Sequence, residues 1–356
     1  MLTVPEGEMP ESPRHAPEHA PEQAPEQAQQ QAQQQAQVQR RSEEPEPAGL
    51  WPGQLVELPD GPVYVRTAKA EGVQTEPVLF VHGLGGSSTN WTDLMHVMRA
   101  AGKYACTALD LPGFGFSPPP PGSDYSILAH TRTVISLVEH LGQRQAHLIG
   151  NSMGGAVLTK VAARRPDLVA SLTLISPALP DLRPRVLPMR LAVVAVPGVG
   201  RVLLDRIAKQ PAAGRTDLSI AELYYDPGRM PPLRRDQEVA EVIRRDGLEY
   251  ANDALRLSAR GLVAEYFKVG RRSLWRDAAA VTAPALIVHG SADRLVNPVM
   301  AVKAARTFPN PRVVILPGVG HVAMMEKPQA AAREIESFLD QVRAANGRHV
   351  MNRVRC

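Results

Sequence analysis

The pentapeptide GNSMG at residues 150–154 places Ser152 between two glycines, after an apolar run and before a helix-like segment. This G-x-S-x-G pattern is typical of a sharp strand–turn–helix that presents a serine hydroxyl as a nucleophile. Glycine has no Cβ, so it tolerates close packing of the strand against the helix at such a turn. The helix also directs backbone N–H groups and its positive dipole end towards negative charge formed there. The pattern and its setting therefore predict a nucleophilic Ser152, although the pentapeptide alone also occurs in ordinary loops.

A nucleophilic serine needs a base, and two later residues could supply the base and its orienting acid. Asp293 in HGSADRLVNP and His321 in PGVGHVAMMEKP follow Ser152 in the order serine, acid, histidine, each just past a predicted strand. Singly, they also fit a surface-loop aspartate and a hydrogen-bonded core histidine. Together with Ser152 they predict a catalytic triad, and Asp181, after the strand-like SLTLISP, is the rival acid.

Acyl transfer further requires hydrogen-bond donors for the oxyanion that develops on the substrate. The HGLGG loop offers the backbone N–H of Leu84, and the residue after the serine offers that of Met153. We predict that these two amides form the oxyanion hole. We interpret His82 as a structural brace for its loop, and Asp110 in DLPGFGFS as part of a tight turn.

The elements that must position these residues alternate between short apolar runs and segments with helical periodicity. Strands are predicted at PVLFVHG, YACTALD, AHLIGN, SLTLISP, PALIVHG and PRVVILPG, and an N-terminal hairpin at LVELPDGPVYVRTA. Such alternation predicts an α/β fold with a mostly parallel, twisted sheet and helices on both faces. The predicted site residues all follow strand ends, which is where ligands bind in open α/β sheets.

The predicted domain organisation is a core of residues 49–177 and 282–346, interrupted by a helical cap, or lid, at 178–281. The interruption is rich in Arg and Pro and has no strand-length apolar run. Its aliphatic stretches, LPMRLAVVAVPGVG and LVAEYFKVG, leave two alternatives open. They line a pocket for an apolar acyl or alcohol group, or they bury the cap against the core.

The two ends of the chain differ from this core. Residues 1–48 repeat a Pro-, Gln- and Glu-rich four-residue unit with almost no large apolar side chains, which predicts a disordered tail or, alternatively, a partner-binding arm. This tail has nine Glu and three Arg, so the remaining residues carry a net charge of +10 within a total of +4. The excess is dispersed apart from a basic C-terminal tail at 347–356, and nucleic-acid binding is not expected.

Composition and motifs also limit what is expected of the protein's cellular location and of its cofactors. The most apolar stretch, 186–204, contains two arginines and two prolines and is not expected to span a membrane. The N-terminus does not resemble a signal peptide, and the two cysteines do not suggest a disulfide framework, so a cytoplasmic protein is expected. The sequence shows no metal-ligand cluster, and GLGGSS lacks the spacing of a dinucleotide fingerprint, so no metal or cofactor is expected.

Residues 50–345 resemble the α/β-hydrolase superfamily, because HGLGG, DLPGFGFS, GNSMGG, GSADRLV and GH match its motifs in order and spacing. The resemblance implies a capped serine hydrolase with a Ser-His-Asp triad. Epoxide hydrolases and haloalkane dehalogenases are similar in outline, but they carry an aspartate where this chain has Ser152. Meta-cleavage-product C–C hydrolases usually have a tryptophan after the catalytic histidine, where this chain has Val322. We therefore expect hydrolysis of a small carboxylic ester, with C–C hydrolysis second and a non-turnover ligand receptor or signalling partner as a third alternative.

Overall fold

The computed structural model describes residues 49–69, 75–142, 145–181 and 193–354, except the side chains of 271 and 346–354. The predicted N-terminal tail at 1–48 lies outside the described residues. The described strands form one mixed sheet in the order β1-β2-β4-β3-β5-β6-β7-β8. Their bounds are β1 Gly53–Val56, β2 Val63–Ala68, β3 Glu76–Val81, β4 Tyr104–Leu109, β5 Ala146–Asn151, β6 Val169–Ile175, β7 Ala285–Gly290 and β8 Pro311–Leu316.

The predicted α/β architecture is confirmed, including its antiparallel start. β2 runs antiparallel to both of its neighbours, β1 and β4, whereas the pairs from β4 to β8 are parallel. The hairpin turns at Asp60-Gly61, where Gly61 has a φ of 108° and donates its N–H to Leu58 O at 3.0 Å. Glycine suits this turn because a residue with a Cβ rarely adopts such a φ.

Helices cover both faces of the sheet, as the buried strands require. Their bounds are α1 Thr92–Ala100, α2 Ile127–His140, α3 Met153–Arg164, α4 Val199–Ala208, α5 Ala212–Leu223, α6 Pro232–Asp246, α7 Ala251–Tyr266, α8 Leu274–Ala280, α9 Val299–Thr307, α10 Ala323–Glu326 and α11 Pro328–Val354. One face of the sheet packs mainly against α2, α3, α8 and α9, and the other against α1 and α11.

The segment between β6 and β7, called the insertion below (residues 178–281), contains helices and connecting turns but no strand in its described residues. Helices α4 to α8 belong to it, and its charged side chains join it to the core. Lys160 of α3 contacts Glu265 of α7 at 3.1 Å and Asp277 of α8 at 2.6 Å. Arg234 of α6 pairs with Asp93 of α1 at 2.6 Å. The insertion is thus tied to both helical layers of the core.

The long last helix, α11, continues through Val354. It therefore extends into the stretch 347–356 that the sequence predicts as a basic tail. Across the described part of the chain, the helices are all too short or too polar to cross a bilayer.

Candidate active site

Ser152 occupies a strained turn between β5 and α3. Its φ of 51° and ψ of −116° make it a non-glycine residue with positive φ at the position that precedes α3. Its N–H donates to Ile175 O at 3.1 Å, and its carbonyl accepts from Ala178 N at 2.9 Å. Such backbone conformations cost about 1–3 kcal/mol and persist only where surrounding contacts enforce them. The side chain is half-buried, whereas those of Asn151 and Met153 on either side are buried.

The two glycines that flank Ser152 sit where no side chain fits. A Cβ on Gly150 would lie 2.8 Å from the backbone of Gly154, and one on Gly154 would lie 2.2 Å from Val81 O. Helix α3 therefore starts in direct contact with the end of β3. This close approach brings the first turn of α3, with Met153 as its first residue, to the carboxyl end of the sheet.

The loop after β3 lies directly against Ser152. A Cβ on Gly83 would meet the Ser152 Cβ at 3.1 Å, and Leu84 follows in the chain. His82 braces this loop, because its Nε2 accepts the Leu111 N–H at 3.0 Å and its Nδ1 therefore carries the proton that is donated to Gly83 O at 2.7 Å. Burial lowers the pKa of the His82 imidazole. A neutral His82 thus fixes the loop that carries Leu84.

Asp110 fixes the same region from the end of β4. Its carboxylate accepts the Ser88 N–H at 2.5 Å and the Phe116 N–H at 2.8 Å. A Cβ on Gly115 would overlap this carboxylate, at 2.1 Å from Oδ2. Asp110 is therefore part of a tight turn, and it links that turn to the loop that follows β3.

Asp293 and His321 come together after β7 and β8. The Nδ1 of His321 lies 2.9 Å from Oδ2 of Asp293, and both residues are buried. The other carboxylate oxygen accepts the N–H groups of Leu295 at 2.8 Å and Val296 at 3.0 Å. Burial raises the pKa of Asp293, but attraction to His321 and hydrogen bonds from His289 and His321 outweigh it, so the pKa lies well below its usual value. An ionised Asp293 accepts the Nδ1 proton, so a neutral His321 carries its lone pair on Nε2.

His289, near the end of β7, was not identified from the sequence. Its Nε2 lies 3.3 Å from Oδ2 of Asp293 and 3.2 Å from the carbonyl oxygen of Val296. The carboxylate of Asp293 is therefore shared between two histidines. The only sequence signal for His289 was its position as a polar residue in the otherwise apolar strand β7.

The loop of His321 is also attached to the residue next to Ser152. Asn151 donates its Nδ2 hydrogens to His321 O at 3.2 Å and to Ile175 O at 3.0 Å. The structure thus brings the Asp293–His321 pair to the end of β5, where Ser152 stands. The rival acid Asp181 lies instead beside Tyr266, whose pKa is raised to about 12 by burial and by the charge of Asp181.

Glu326 binds backbone N–H groups of the His321 loop and of the insertion. Its role was not identified from the sequence either. Its buried carboxylate accepts the Gly320 N–H at 2.6 Å and the N–H groups of Tyr225 and Asp226 at 3.1 and 3.0 Å. Arg229 adds a guanidinium contact at 2.9 Å. Glu326 therefore connects the residue before His321 to the insertion.

The insertion also reaches the predicted oxyanion loop. His321 N donates to Leu223 O of α5 at 2.7 Å, and Arg245 of α6 donates to Gly85 O at 3.2 Å. These contacts place α5 and α6 beside the loops that carry His321 and Leu84.

A separate cavity of about 570 Å³ lies at the opposite edge of the sheet. Glu76, His147 and Arg343 line it, near the amino ends of β3 and β5. It is therefore distinct from the site around Ser152. In the described ranges, no three His, Cys, Asp or Glu side chains are grouped so that they could hold a metal ion.

The fold agrees with a comparison with known families. Residues 76–328 match the family model described as the alpha/beta hydrolase fold, and the chain belongs to that family.

Individual relatives differ in their activities. Over 270 residues the chain is 31% identical to the dihydrolipoyllysine-residue acetyltransferase component of the acetoin cleaving system of Pseudomonas putida, covering 74% of this chain but only 63% of that protein. It is 27% identical to the 2-(acetamidomethylene)succinate hydrolase of Mesorhizobium japonicum, over 74% of this chain and 87% of that enzyme. A thermophilic esterase structure from Thermogutta terrifontis superimposes with a TM-score of 0.61 at 25% identity, over 81% and 99% of the two chains. Lipase 3 of a Moraxella species and the 2-hydroxy-6-oxononadienedioate/2-hydroxy-6-oxononatrienedioate hydrolase of Cupriavidus pinatubonensis are each 26% identical to the chain, and a meta-cleavage product hydrolase structure shares its fold.

Proposed function

We propose that this chain hydrolyses small carboxylic esters with an apolar acyl or alcohol group through an acyl-enzyme on Ser152. The observation that carries the proposal is the strained turn of Ser152, whose neighbour Asn151 holds the loop of the Asp293–His321 pair. An ester needs nothing beyond a nucleophile, a base with its orienting acid, and oxyanion donors. The esterase and lipases among the relatives support this substrate class.

In the proposed reaction, Nε2 of His321 takes the proton of the Ser152 hydroxyl as the oxygen attacks the ester carbonyl. The resulting oxyanion lies against the N–H groups of Leu84 and Met153. Protonated His321, stabilised by Asp293, then gives its proton to the departing alcohol. Water, deprotonated by the same imidazole, attacks the acyl-enzyme and releases the acid. In this proposal the insertion is a cap that contributes to substrate choice.

Substitution of the serine tests the proposal. Ser152→Ala should abolish both fluorophosphonate labelling and turnover of p-nitrophenyl esters. Ser123→Ala is the matched control, because Ser123 also has a positive φ, 54°, but lies in an exposed turn. Undiminished turnover in Ser152→Ala would refute the mechanism.

The C–C hydrolases among the relatives favour a second candidate, in which the same residues cleave a carbon–carbon bond next to a ketone. Parallel assays with p-nitrophenyl esters and a vinylogous 1,5-diketone separate the two, since the faster substrate identifies the reaction. One equivalent of ligand bound or acylated without further turnover would instead indicate the receptor alternative.

A further inference from the structure

The insertion exposes an unusual share of apolar surface. Among the described residues, ten of the sixteen exposed large apolar side chains belong to it. Six of them define what we call the apolar face of the insertion, on and before α4 and just after α7: Val193, Val196, Val199, Val202, Phe267 and Val269. The sequence left two alternatives for these aliphatic stretches, pocket lining or burial against the core, and neither describes these six side chains.

The local backbone explains why the valines point outwards. Val193, Val196, Val199 and Val202 recur every third residue, and Gly198, with a φ of 77°, turns the chain between the second and the third. A Cβ on Gly200 would lie 1.9 Å from Val194 O, so the segment before α4 folds tightly back on the helix. Val199 and Val202 remain 53% and 64% exposed.

Helix α7 packs against α4, and two further exposed apolar residues follow its end. A small buried cluster joins α4 to α7 through Leu204 and Ala259, with Val263 packed against it. Phe267 lies one helical turn beyond Val263 and is 80% exposed, and Val269 is 82% exposed. Strongly exposed apolar side chains on two helices that pack against each other are typical of an interaction surface.

Charge indicates what covers this face. Residues 193–209 and 251–272, which contain α4 and α7 with their flanking turns, carry eight Lys and Arg against three Asp and Glu, a net charge of +5. The three acids, Asp205, Asp253 and Glu265, each have a basic partner within the protein. Arg201, Arg206 and Lys209 are exposed alongside the valines. An aliphatic face with a basic border matches an anionic lipid surface, whose acyl chains accept valines and whose headgroups attract arginines.

We propose that the apolar face of the insertion binds the surface of an anionic lipid bilayer. The association is interfacial, since the described helices contain none that could span a membrane. It goes beyond the proposed hydrolysis and does not depend on it, because binding requires neither Ser152 nor turnover.

Cosedimentation of the full-length Ser152→Ala protein with vesicles tests the proposal without any contribution from catalysis. Vesicles of phosphatidylcholine alone are compared with vesicles of phosphatidylcholine and phosphatidylglycerol. We expect binding to the anionic vesicles that weakens with added salt and on substitution of Arg201 and Arg206 by Gln. The double substitution Val199→Asp and Val202→Asp should weaken binding at least roughly tenfold, because it removes apolar contact and adds repulsion.

Helix α9 of the core provides a matched control. Val299 and Val302 have the same spacing and similar exposure, 66% and 51%, but lie on helix α9 of the core and not on α4 or α7. Val299→Asp with Val302→Asp should leave vesicle binding unchanged, and circular dichroism checks that both double variants are folded. Failure of the wild-type face to bind vesicles, or equal losses in the two double variants, would overturn the proposal. A dimer that the Val199/Val202 variant dissociates, without vesicle binding, would assign the face to self-association instead.

Discussion

Substitution of Gly154 by alanine tests whether close packing of α3 on β3 positions the site. The new Cβ would lie 2.2 Å from Val81 O and 2.6 Å from His82 O, whereas an ordinary carbon–oxygen contact needs about 3.3 Å. Helix α3 must therefore move away from β3 by on the order of 1 Å. Overpacking of this kind costs about 1–3 kcal/mol, against a gain of up to about 1 kcal/mol in helix propensity. We expect a net loss of stability of roughly 1–2 kcal/mol.

The effect on turnover should exceed the effect on stability. Ser152 and Met153 precede Gly154 directly, so a shift of the helix moves the proposed nucleophile and one proposed oxyanion donor together. A displacement of this size near reacting groups can cost about 100-fold in rate. Urea unfolding gives the stability change, and kcat/KM for p-nitrophenyl butyrate gives the change in activity.

Gly214 provides the matched control. It lies in helix α5, where an added Cβ would meet nothing within 4 Å. Gly214→Ala should therefore raise stability by roughly 0.5 kcal/mol and leave kcat/KM unchanged. If Gly154→Ala behaved like Gly214→Ala in both assays, the packing argument for the elbow would be wrong.

Two further substitutions address the His321 loop. Asp293→Asn should lower kcat/KM by about 10³–10⁴-fold, because His321 loses its carboxylate acceptor; a loss below tenfold would contradict the assigned role. Because the pKa of folded Asp293 is lowered, its stabilising contribution is complete above the unfolded value of about 4 and is lost as the pH falls further. Urea midpoints should therefore fall more steeply below about pH 4 in the wild type than in Asp293→Asn, and parallel curves would refute this linkage. Glu326→Gln should cost about 2–4 kcal/mol in urea unfolding and also lower kcat, because the NH2 group of the new amide would replace one of the two accepting oxygens and face N–H donors in either orientation; unchanged stability would contradict the proposed role of Glu326 in holding this backbone.

Much of the site was predictable because each of its main residues follows a strand and carries its own local signal. Gly150 and Gly154 indicate close packing of a strand and a helix, and the structure confirms that packing. The roles predicted for Ser152, Asp293 and His321 stay predictions, although the last two are in contact. Parallel strands bring their carboxyl ends to one edge of the sheet. The convergence of residues that follow these strands can therefore be predicted without knowing the contacts between them.

The supporting contacts were not predictable, because they join residues that are distant in the chain. Glu326 contacts backbone about 100 residues away, at Tyr225 and Asp226, and its sequence neighbourhood shows only the start of a helix. The sequence predicted that the aliphatic stretch before and into α4 lines a pocket or packs against the core, and its exposed valines were not foreseen, because hydrophobicity alone does not specify which apolar stretch faces solvent. Likewise, the order β2-β4-β3-β5 depends on crossovers that chain order does not reveal.

The hydrogen bonds that the Leu223 carbonyl and the Glu326 carboxylate accept from the His321 loop have a consequence for protein engineering. Exchange of the whole insertion for that of a relative, in order to change specificity, would remove Leu223, Tyr225 and Asp226 together and leave Glu326 and His321 N without these partners. Chimeras should therefore retain residues 223–229 and exchange only the helices on either side. Because these partners at residues 223–226 are backbone groups, the constraint acts on chain length and path, and it predicts that insertions and deletions in this family fall outside residues 223–229.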